Sequence, residues 1–267
     1  MAEADGETRT GSGFDLGRSP TTLDIDFAAE EAAAHATRLL GATQPASSRM
    51  TVVFEPSVTA SILGIIGRTL SGEAVLKGRS LFADRLGEEV AAPGVTLVDD
   101  ATDPSSFGAW PDDDEGLASR RNVLVEQGVL ARFLHSSYSG RRSGAGSTGS
   151  AVRGYSSTPT VAPRALSLVP GTRSQEELIA SVGEGVLVQS VTGLGSGVNA
   201  VSGDFSVGAE GLMIRNGALA EPVRGMTLAS TLQRMCRDIV NVGADQRWFG
   251  GGAGMSLAVR DISIGGR

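Results

Sequence analysis

Apolar and polar positions alternate over short distances along most of the chain, which predicts strands and hairpins with a few helices between them. An alanine-rich stretch after Asp24 carries acidic residues in its first turns and ends at Gly41, a pattern that is typical of a helix. A second helix is predicted over residues 57–70, and shorter ones over 174–182 and 226–240. Short apolar runs predict strands over residues 50–56, 95–100, 185–191 and 256–264.

Two turns give the clearest local signals. The chain is predicted to reverse at Gln127-Gly128 and at Asn216-Gly217, because an Asn-Gly pair accepts the positive φ angles of a tight hairpin turn. Between these hairpins, residues 139–164 are so polar and rich in glycine that we expect a long loop. The predicted order has strands first and then helices that are inserted between hairpins. This order indicates an α+β fold with mainly antiparallel pairing.

Composition narrows the classes of function. The 267 residues include 37 glycines and carry a net charge of −7, which argues against nucleic acid as the main partner, because that affinity comes from neutralising phosphates. No long apolar run predicts a membrane span, and the N-terminal residues lack the pattern of a secretory signal. The single cysteine excludes an internal disulfide. We therefore expect a cytoplasmic protein of one large or two small domains.

Individual residues offer few catalytic candidates. His35 and His135 lie in different predicted elements, and Cys236 lies in a predicted helix without a nearby histidine, so a structural role is favoured for all three. Residues 144–149 match the glycine spacing of a dinucleotide-binding loop, but the segment that follows cannot open a helix. The acidic residues 112–115 are interpreted as a solvated turn, whose carboxylates could pair with arginines of the glycine-rich loop.

Several blocks of sequence resemble the TldD/PmbA family and occur in the family's order. They are SGEAVLKGRSLFADRLGEEVAAPGVTLVDD, DDEG at residues 113–116, RRNVLVEQGVL, SYSGRR with the STG after it, and GSGVNAVSGDFSVGAEGLMIRNGALAEPVRGMTLASTL. The resemblance implies a β-rich, mainly antiparallel, sheet- or barrel-like C-terminal domain with a few packed helices, over residues 49–267. Residues 1–48 are then the remnant of a preceding domain with a connecting helix and linker, and the family's large N-terminal domain is expected to be missing.

The catalytic branch of that family, TldD, carries a His-Glu-x-x-x-His zinc motif. At the corresponding positions this chain has Leu63, Gly64 and Arg68, so both histidines and the glutamate are replaced. The resemblance therefore implies the PmbA/TldE branch, with no cofactor in this chain and zinc in a TldD-like catalytic partner. The implied function is that of a non-catalytic subunit of a cytoplasmic TldD/TldE metalloprotease, which acts on unfolded peptides and whose substrate chamber this chain helps to shape.

Six residues are predicted to line or brace that chamber. They form two blocks, one with Asp114, Glu115 and Gly116 and the other with Gly203, Asp204 and Phe205. For the second block, a structural role is an equally good interpretation, in which Asp204 caps a turn and Phe205 lies in the core. Two other functions stay open. One is a non-catalytic homodimeric module that binds peptides, and the other is a hydrolase with an unrecognised site, for example at the carboxylates of residues 112–115.

Overall fold

A computed structural model describes all residues, 1–267, as seven helices and sixteen strands. None of the helices combines the length and apolar character that crossing a membrane requires. The strands are β1 (Ala2–Ala4), β2 (Glu7–Arg9), β3 (Ser48–Phe54), β4 (Leu97–Asp100), β5 (Arg121–Glu126), β6 (Val129–Leu130), β7 (Ala151–Val152), β8 (Thr160–Val161), β9 (Leu166–Leu168), β10 (Glu184–Thr192), β11 (Asp204–Arg215), β12 (Ala218–Thr231), β13 (Ile239–Val242), β14 (Arg247–Trp248), β15 (Ala253–Gly254) and β16 (Leu257–Gly265). The helices are α1 (Ile25–Arg38), α2 (Pro56–Thr69), α3 (Gly72–Leu76), α4 (Ser137–Ser143), α5 (Gln175–Ala180), α6 (Leu194–Gly197) and α7 (Leu232–Arg237), with a short 3-10 turn at Pro20–Thr22.

Five of the strands close into a small barrel. Their order is β12–β11–β10–β3–β16, and β16 pairs with β12 to complete the ring. Only β3 and β10 run parallel, and the other neighbours in the ring are antiparallel. β13 pairs with β16 as an additional strand. The expected β-rich, mainly antiparallel, barrel-like fold with a few packed helices is confirmed.

The barrel strands include continuous apolar runs because both of their faces are covered. In β3, Val52 and Phe54 belong to the main hydrophobic core, whereas Val53 packs in a smaller cluster with Leu178 and Ile179 of α5. Successive side chains of a strand lie on opposite faces, so one run fills two clusters at once. This explains why the pattern here is an uninterrupted apolar run and not an alternation.

Helix α2 lies between the barrel and a second sheet. The second sheet has the order β6–β5–β4–β9 and is antiparallel throughout. The buried face of α2, which includes Val58, Ile62 and Ile66, packs in the main core, and the helix contacts β9, β10 and β15. Gly254 in β15 permits the closest approach, since a Cβ there would overlap the carbonyl oxygen of Pro56. The opposite face of α2 is left exposed.

Local sequence signals located most elements correctly. Helix α1 begins after Asp24, whose side chain accepts a hydrogen bond from the amide of Phe27. Both predicted hairpin turns are present, and Gln127 and Asn216 adopt positive φ angles of 48° and 51°. These turns depend on two or three neighbouring residues, so they can be predicted without knowledge of the rest of the fold.

The prediction of a helix over residues 226–240 is wrong in its first half. Strand β12 continues to Thr231, and only α7 is helical. Residues 227–229 pair with β16, and this pairing closes the barrel. Burial of Leu228 and the ladder hydrogen bonds formed on closure therefore override the local preference of this segment.

The prediction of a long irregular loop over residues 139–164 is also wrong in part. Helix α4 covers the start of the segment, because Ser136 and Ser139 form a capping box at its N-terminus. Farther along, β7 and β8 pair as a two-stranded ladder. Hydrogen bonds to residues elsewhere in the chain order a segment whose own composition favours a loop.

Closure of the barrel predicts which leucines of β12 contribute to the free energy of unfolding. Leu228 is fully buried opposite Ile264, whereas Leu219 on the same strand is 42% exposed. We expect Leu228→Ala to lower the free energy of unfolding by about 2–5 kcal/mol, because it leaves a cavity in the core, and Leu219→Ala to change it by less than about 0.5 kcal/mol. Urea denaturation followed by circular dichroism measures both. Equal effects of the two substitutions would contradict the assigned barrel register.

Candidate functional site

Helix α2 carries the three positions at which the family resemblance places a zinc motif. Leu63 is 5% exposed and belongs to the hydrophobic core, so its side chain offers no ligand atom. Gly64 has open space beside its Cα, and Arg68 is exposed in the last turn of the helix. These three positions therefore combine a buried aliphatic side chain, an absent side chain and a cation.

The exposed face of α2 forms one wall of a cleft of about 440 Å³, which we call the α2 groove. The groove is lined by Ser57, Ala60, Ser61, Leu63, Gly64 and Arg68 of α2 and, on the opposite side, by Ala162, Pro163, Leu166, Phe249, Gly251 and Gly252. Zinc in proteins takes nitrogen, sulfur or carboxylate oxygen ligands in groups of three or four. No such group lies in the groove, and no cluster of three or more His, Cys, Asp or Glu side chains with suitable geometry occurs in residues 1–267. The residues present do not fit a zinc ion.

A buried carboxylate holds the wall of the groove that faces α2. Asp99 accepts hydrogen bonds from the backbone amides of Arg164 and Ala165, at 2.8 and 2.7 Å. Burial raises the pKa of Asp99 to about 6, although these two amides favour the charged carboxylate and oppose the shift. Asp99 thereby positions the segment that contains Pro163 and Leu166.

The predicted block of Asp114, Glu115 and Gly116 lies in a loop that ties distant segments together. Asp114 accepts a hydrogen bond from the amide of Arg153 and lies 3.8 Å from the Arg164 guanidinium, so the expected pairing of a carboxylate with an arginine of the glycine-rich loop is confirmed. Glu115 accepts bonds of 2.7 and 2.8 Å from the amide and hydroxyl of the first residue of α4. Gly116 adopts a φ of +76° in the turn.

The expectation of a solvated turn at residues 112–115 is wrong for Asp113. This side chain is buried, and its two oxygens accept hydrogen bonds from the amides of Glu115, Leu117 and Ala151. A buried carboxylate needs such donors, because an unpaired charge in the interior is costly. Asp113 therefore has a structural role that a charge run alone does not indicate.

The second predicted block lies apart from the first. Gly203 adopts a φ of +86°, Asp204 is exposed and accepts a hydrogen bond of 2.6 Å from the Ser202 hydroxyl, and Phe205 is 2% exposed in the main core. No hydrogen bond or ion pair joins this block to residues 114–116. That the two blocks line or brace one chamber stays a prediction.

The structure contains a second cleft, of about 530 Å³, which was not predicted from the sequence. We call it the α1 cleft. It lies between α1, the end of β3 and the middle of β10, and it adjoins the α2 groove through Ser57 and Phe249, which line both. Its aromatic, charged and amide-bearing lining includes Phe14, Phe27, Glu30, Glu31, His35, Arg38, Glu55, Glu176, Gln189, Asp245, Arg247 and Phe249.

Three side chains form a hydrogen-bonded chain at the base of the α1 cleft. His35 Nε2 lies 3.1 Å from Glu55 Oε2, and Gln189 Nε2 donates to Glu55 Oε1 at 3.2 Å. His35 Nδ1 lies 2.8 Å from the carbonyl oxygen of Ser12. Because both ring nitrogens face acceptors, this arrangement favours the doubly protonated imidazolium. The hydrogen bond to Glu55 raises the pKa of His35, and burial opposes the shift.

Arg247 joins α1 to the short ladder of β14 and β15. Its guanidinium pairs with Glu31 and lies over the rings of Phe27 and Phe249, 4.8 and 5.5 Å from their centroids. It also donates to the carbonyl oxygen of Phe14 at 2.6 Å. Burial raises the pKa of Glu31, but the bonds from Arg247 and from the amide of Phe14 outweigh it and hold that pKa below its ordinary value.

The other two reactive side chains, His135 and Cys236, are buried away from both clefts, and their structural role stays a prediction. His135 is buried 3.3 Å from the Ser139 hydroxyl and is not in contact with His35, and burial lowers its pKa. Cys236 is buried in α7, and burial raises the pKa of its thiol to about 12. Neither residue lines the α2 groove or the α1 cleft.

Comparison with known proteins identifies the family that this chain resembles. The family model of the PmbA/TldA metallopeptidase C-terminal domain matches residues 47–266. A metalloprotease of Methanothermobacter thermautotrophicus is 32% identical over 89% of this chain and 53% of the relative. Metalloprotease PmbA of Escherichia coli O157:H7 is 27% identical over 92% of this chain and 52% of the relative. The chain thus spans about half the length of the curated relatives it matches.

Solved structures show the same fold. The crystal structure of a Thermotoga maritima protein, described as a proposed modulator of a DNA gyrase, is 30% identical to this chain. It superposes with a TM-score of 0.91 over 98% of this chain and 60% of its own length.

The geometry at His35 predicts a specific titration. Since its folded pKa is raised above the ordinary value, the contact contributes stability that is full below about pH 6.5 and is lost as pH rises through the folded pKa. With only two histidines in the chain, imidazole NMR resonances can be followed individually, and His35→Gln assigns them. We expect His35 to titrate above and His135 below the ordinary value. A His35 that titrates at or below the ordinary value would contradict the pairing with Glu55.

Proposed function

The chain belongs to the PmbA/TldD metallopeptidase family, and from this membership we propose that it is the PmbA/TldE-like, non-catalytic subunit of a cytoplasmic zinc peptidase whose metal is held by a TldD-like partner. The observation that carries the proposal is the composition of the α2 groove. Leu63, Gly64 and Arg68 lie where the family resemblance places the zinc motif, and their side chains provide neither metal ligands nor a general base. In this proposal the groove contributes to substrate binding and not to chemistry.

The α2 groove is suited to an extended peptide. Its wall opposite α2 includes Gly251 and Gly252, where the backbone is accessible without side chains, and Pro163 and Leu166 add apolar surface. Main-chain hydrogen bonds with apolar contacts are the usual means of binding a peptide with little sequence preference. This supports peptides as the substrate class of the proposed complex.

The carboxylates near residues 112–115 support the groove and do not enter it. Glu115 accepts a backbone hydrogen bond from the first residue of α4, Asp113 accepts one from Ala151 after α4, and Asp99 holds Arg164 and Ala165 in place beside the groove. We therefore assign these residues a bracing role in the proposed chamber. This assignment favours a subunit that shapes a site over a hydrolase that uses these carboxylates, because both oxygens of Asp113 and both oxygens of Glu115 already accept hydrogen bonds.

Filling the groove tests the proposed function. A side chain at Gly64 meets no atom within 4 Å, so Gly64→Trp is expected to fold and to obstruct the groove. Gly183→Trp is a matched control, since Gly183 also has open space and lies outside both clefts. We expect the full chain to co-purify with a TldD-like chain that carries the complete motif, and Gly64→Trp to reduce the peptidase activity of that complex by at least about tenfold.

Two results would contradict the proposal. One is about one tightly held zinc per chain in the isolated protein, measured by elemental mass spectrometry. The other is a complex whose peptidase activity responds equally to Gly64→Trp and to Gly183→Trp. A stable homodimer that binds peptides without any TldD-like chain would favour the alternative of an independent peptide-binding module.

A further inference from the structure

The α1 cleft contains a buried hydrogen-bond acceptor without a donor. Gln189 is 5% exposed, and its Oε1 has no hydrogen-bond partner. The orientation of the amide is fixed, because its Nε2 donates to Glu55 and an inverted amide would place two acceptor oxygens against each other. An unmade hydrogen bond at a buried polar atom is unfavourable. Gln189 therefore lacks an N–H or O–H donor.

Strand geometry places Gln189 in the cleft. The pairing of β10 with β11 shifts register between Val188 and Ser190, so Gln189 lies in a bulge. A bulge changes the direction of a side chain relative to the regular alternation of the strand. Val188 pairs with Phe54, the last residue of β3, so Glu55 after β3 and Gln189 within β10 both lie just beyond the last parallel pair. The hydrogen-bonded pair of Glu55 and Gln189 is thus positioned by the pairing of β3 with β10.

The charged side chains that line the α1 cleft favour a cationic ligand. Five carboxylates line the α1 cleft, against two arginines and His35. Glu31 and Glu55 are paired with Arg247 and His35, but the other three carboxylates have no ion-pair partner. Those three are Glu30, Glu176 and Asp245. Arg38 is also unpaired, so the unpaired side chains of the lining leave an excess of two negative charges. This excess repels an anionic ligand in the cleft and attracts a cationic nitrogen.

The aromatic wall of the cleft already binds a cation of this kind. The guanidinium of Arg247 lies over Phe27 and Phe249, and Phe14 stacks on Phe249 with ring centroids 5.7 Å apart. Aromatic faces attract ammonium and guanidinium groups through the ring quadrupole. The same wall continues into the α2 groove at Phe249.

We propose that the α1 cleft binds the cationic nitrogen group of a peptide, either its amino terminus or a lysine or arginine side chain, with Gln189 Oε1 accepting a hydrogen bond from that group. The choice of a peptide over a free amine rests on the proposed function, because the peptide would lie in the adjoining α2 groove. The preference for a cation is independent of the proposed function, because it follows from the charges that line the cleft. A volume of about 530 Å³ falls within the usual range of small-ligand sites.

Calorimetric titration of the full chain with three synthetic peptides tests this proposal. The first is tetra-alanine amide with a free amino terminus, the second is its N-acetylated form, and the third is an N-acetylated peptide of the same length with one lysine. We expect saturable binding of the first, the third or both, and none of the second. Binding of the first alone identifies the amino terminus as the ligand, and binding of the third alone identifies the side chain.

Substitution at Gln189 connects the binding to the cleft. We expect Gln189→Met, which has a similar volume, to weaken the binding of the cationic peptide by about tenfold. Gln233→Met is the matched control, since Gln233 also has a buried Oε1 without a partner but lies outside the α1 cleft. If Gln189→Met does not fold, as judged by circular dichroism, Glu30→Gln tests the same site at an exposed carboxylate and is expected to weaken binding in the same direction.

The proposal is overturned if the acetylated, uncharged peptide binds as tightly as the cationic ones, or if no cationic peptide binds. Equal affinities of the Gln189→Met and Gln233→Met variants would also overturn it. Since these titrations use the chain alone, they are independent of whether it assembles with a TldD-like partner. Failure of the binding test and failure of the proposed function can therefore be distinguished.

Discussion

The parallel pairing of β3 with β10 is the constraint on which the rest of the structure depends. In a barrel that is otherwise antiparallel, this parallel pairing ends where β3 ends, with Phe54 opposite Val188 of β10. Glu55 and Gln189 come next in the chain and are hydrogen-bonded to each other. Helix α2 begins one residue later, at Pro56, so its position is also set by the end of β3. Both clefts are consequences of this one register.

Features that depend on neighbouring residues could be predicted from the sequence. The apolar run of β3, the capped start of α1 and the hairpin turn at Asn216 each contain their own signal. The first half of residues 226–240 carries no such local signal. Its strand conformation depends on pairing with β16, where the partners of residues 227–229 are residues 263–265. Barrel closure is a long-range interaction, and a local pattern does not encode its outcome.

The candidate site was predictable to a smaller extent. Leu63, Gly64 and Arg68, which the family resemblance singles out, lie on one helix and line the α2 groove. That they correspond to a zinc motif stays a prediction. The α1 cleft was missed because its members come from α1, β3, β10 and β14, and because the bulge at Gln189 leaves no trace in strand periodicity. His35 was assigned a structural role on the ground that the two histidines do not converge. Its partner is Glu55, which lies twenty residues farther along the chain at the end of β3, and sequence spacing alone does not reveal this contact.

The two clefts together give the proposed peptide site a direction. The acidic α1 cleft lies at the N-terminal end of α2, and Arg68 lies exposed and without an ion-pair partner in the last turn. The 13 residues from Glu55 to Arg68 correspond to about 20 Å along the helix, which an extended peptide of about six residues would span. A peptide whose amino group enters the acidic cleft would then place its carboxylate end toward Arg68. In the proposed complex, Arg68 therefore orients the substrate, and its exposed place in the last turn of α2 is favourable for a cation.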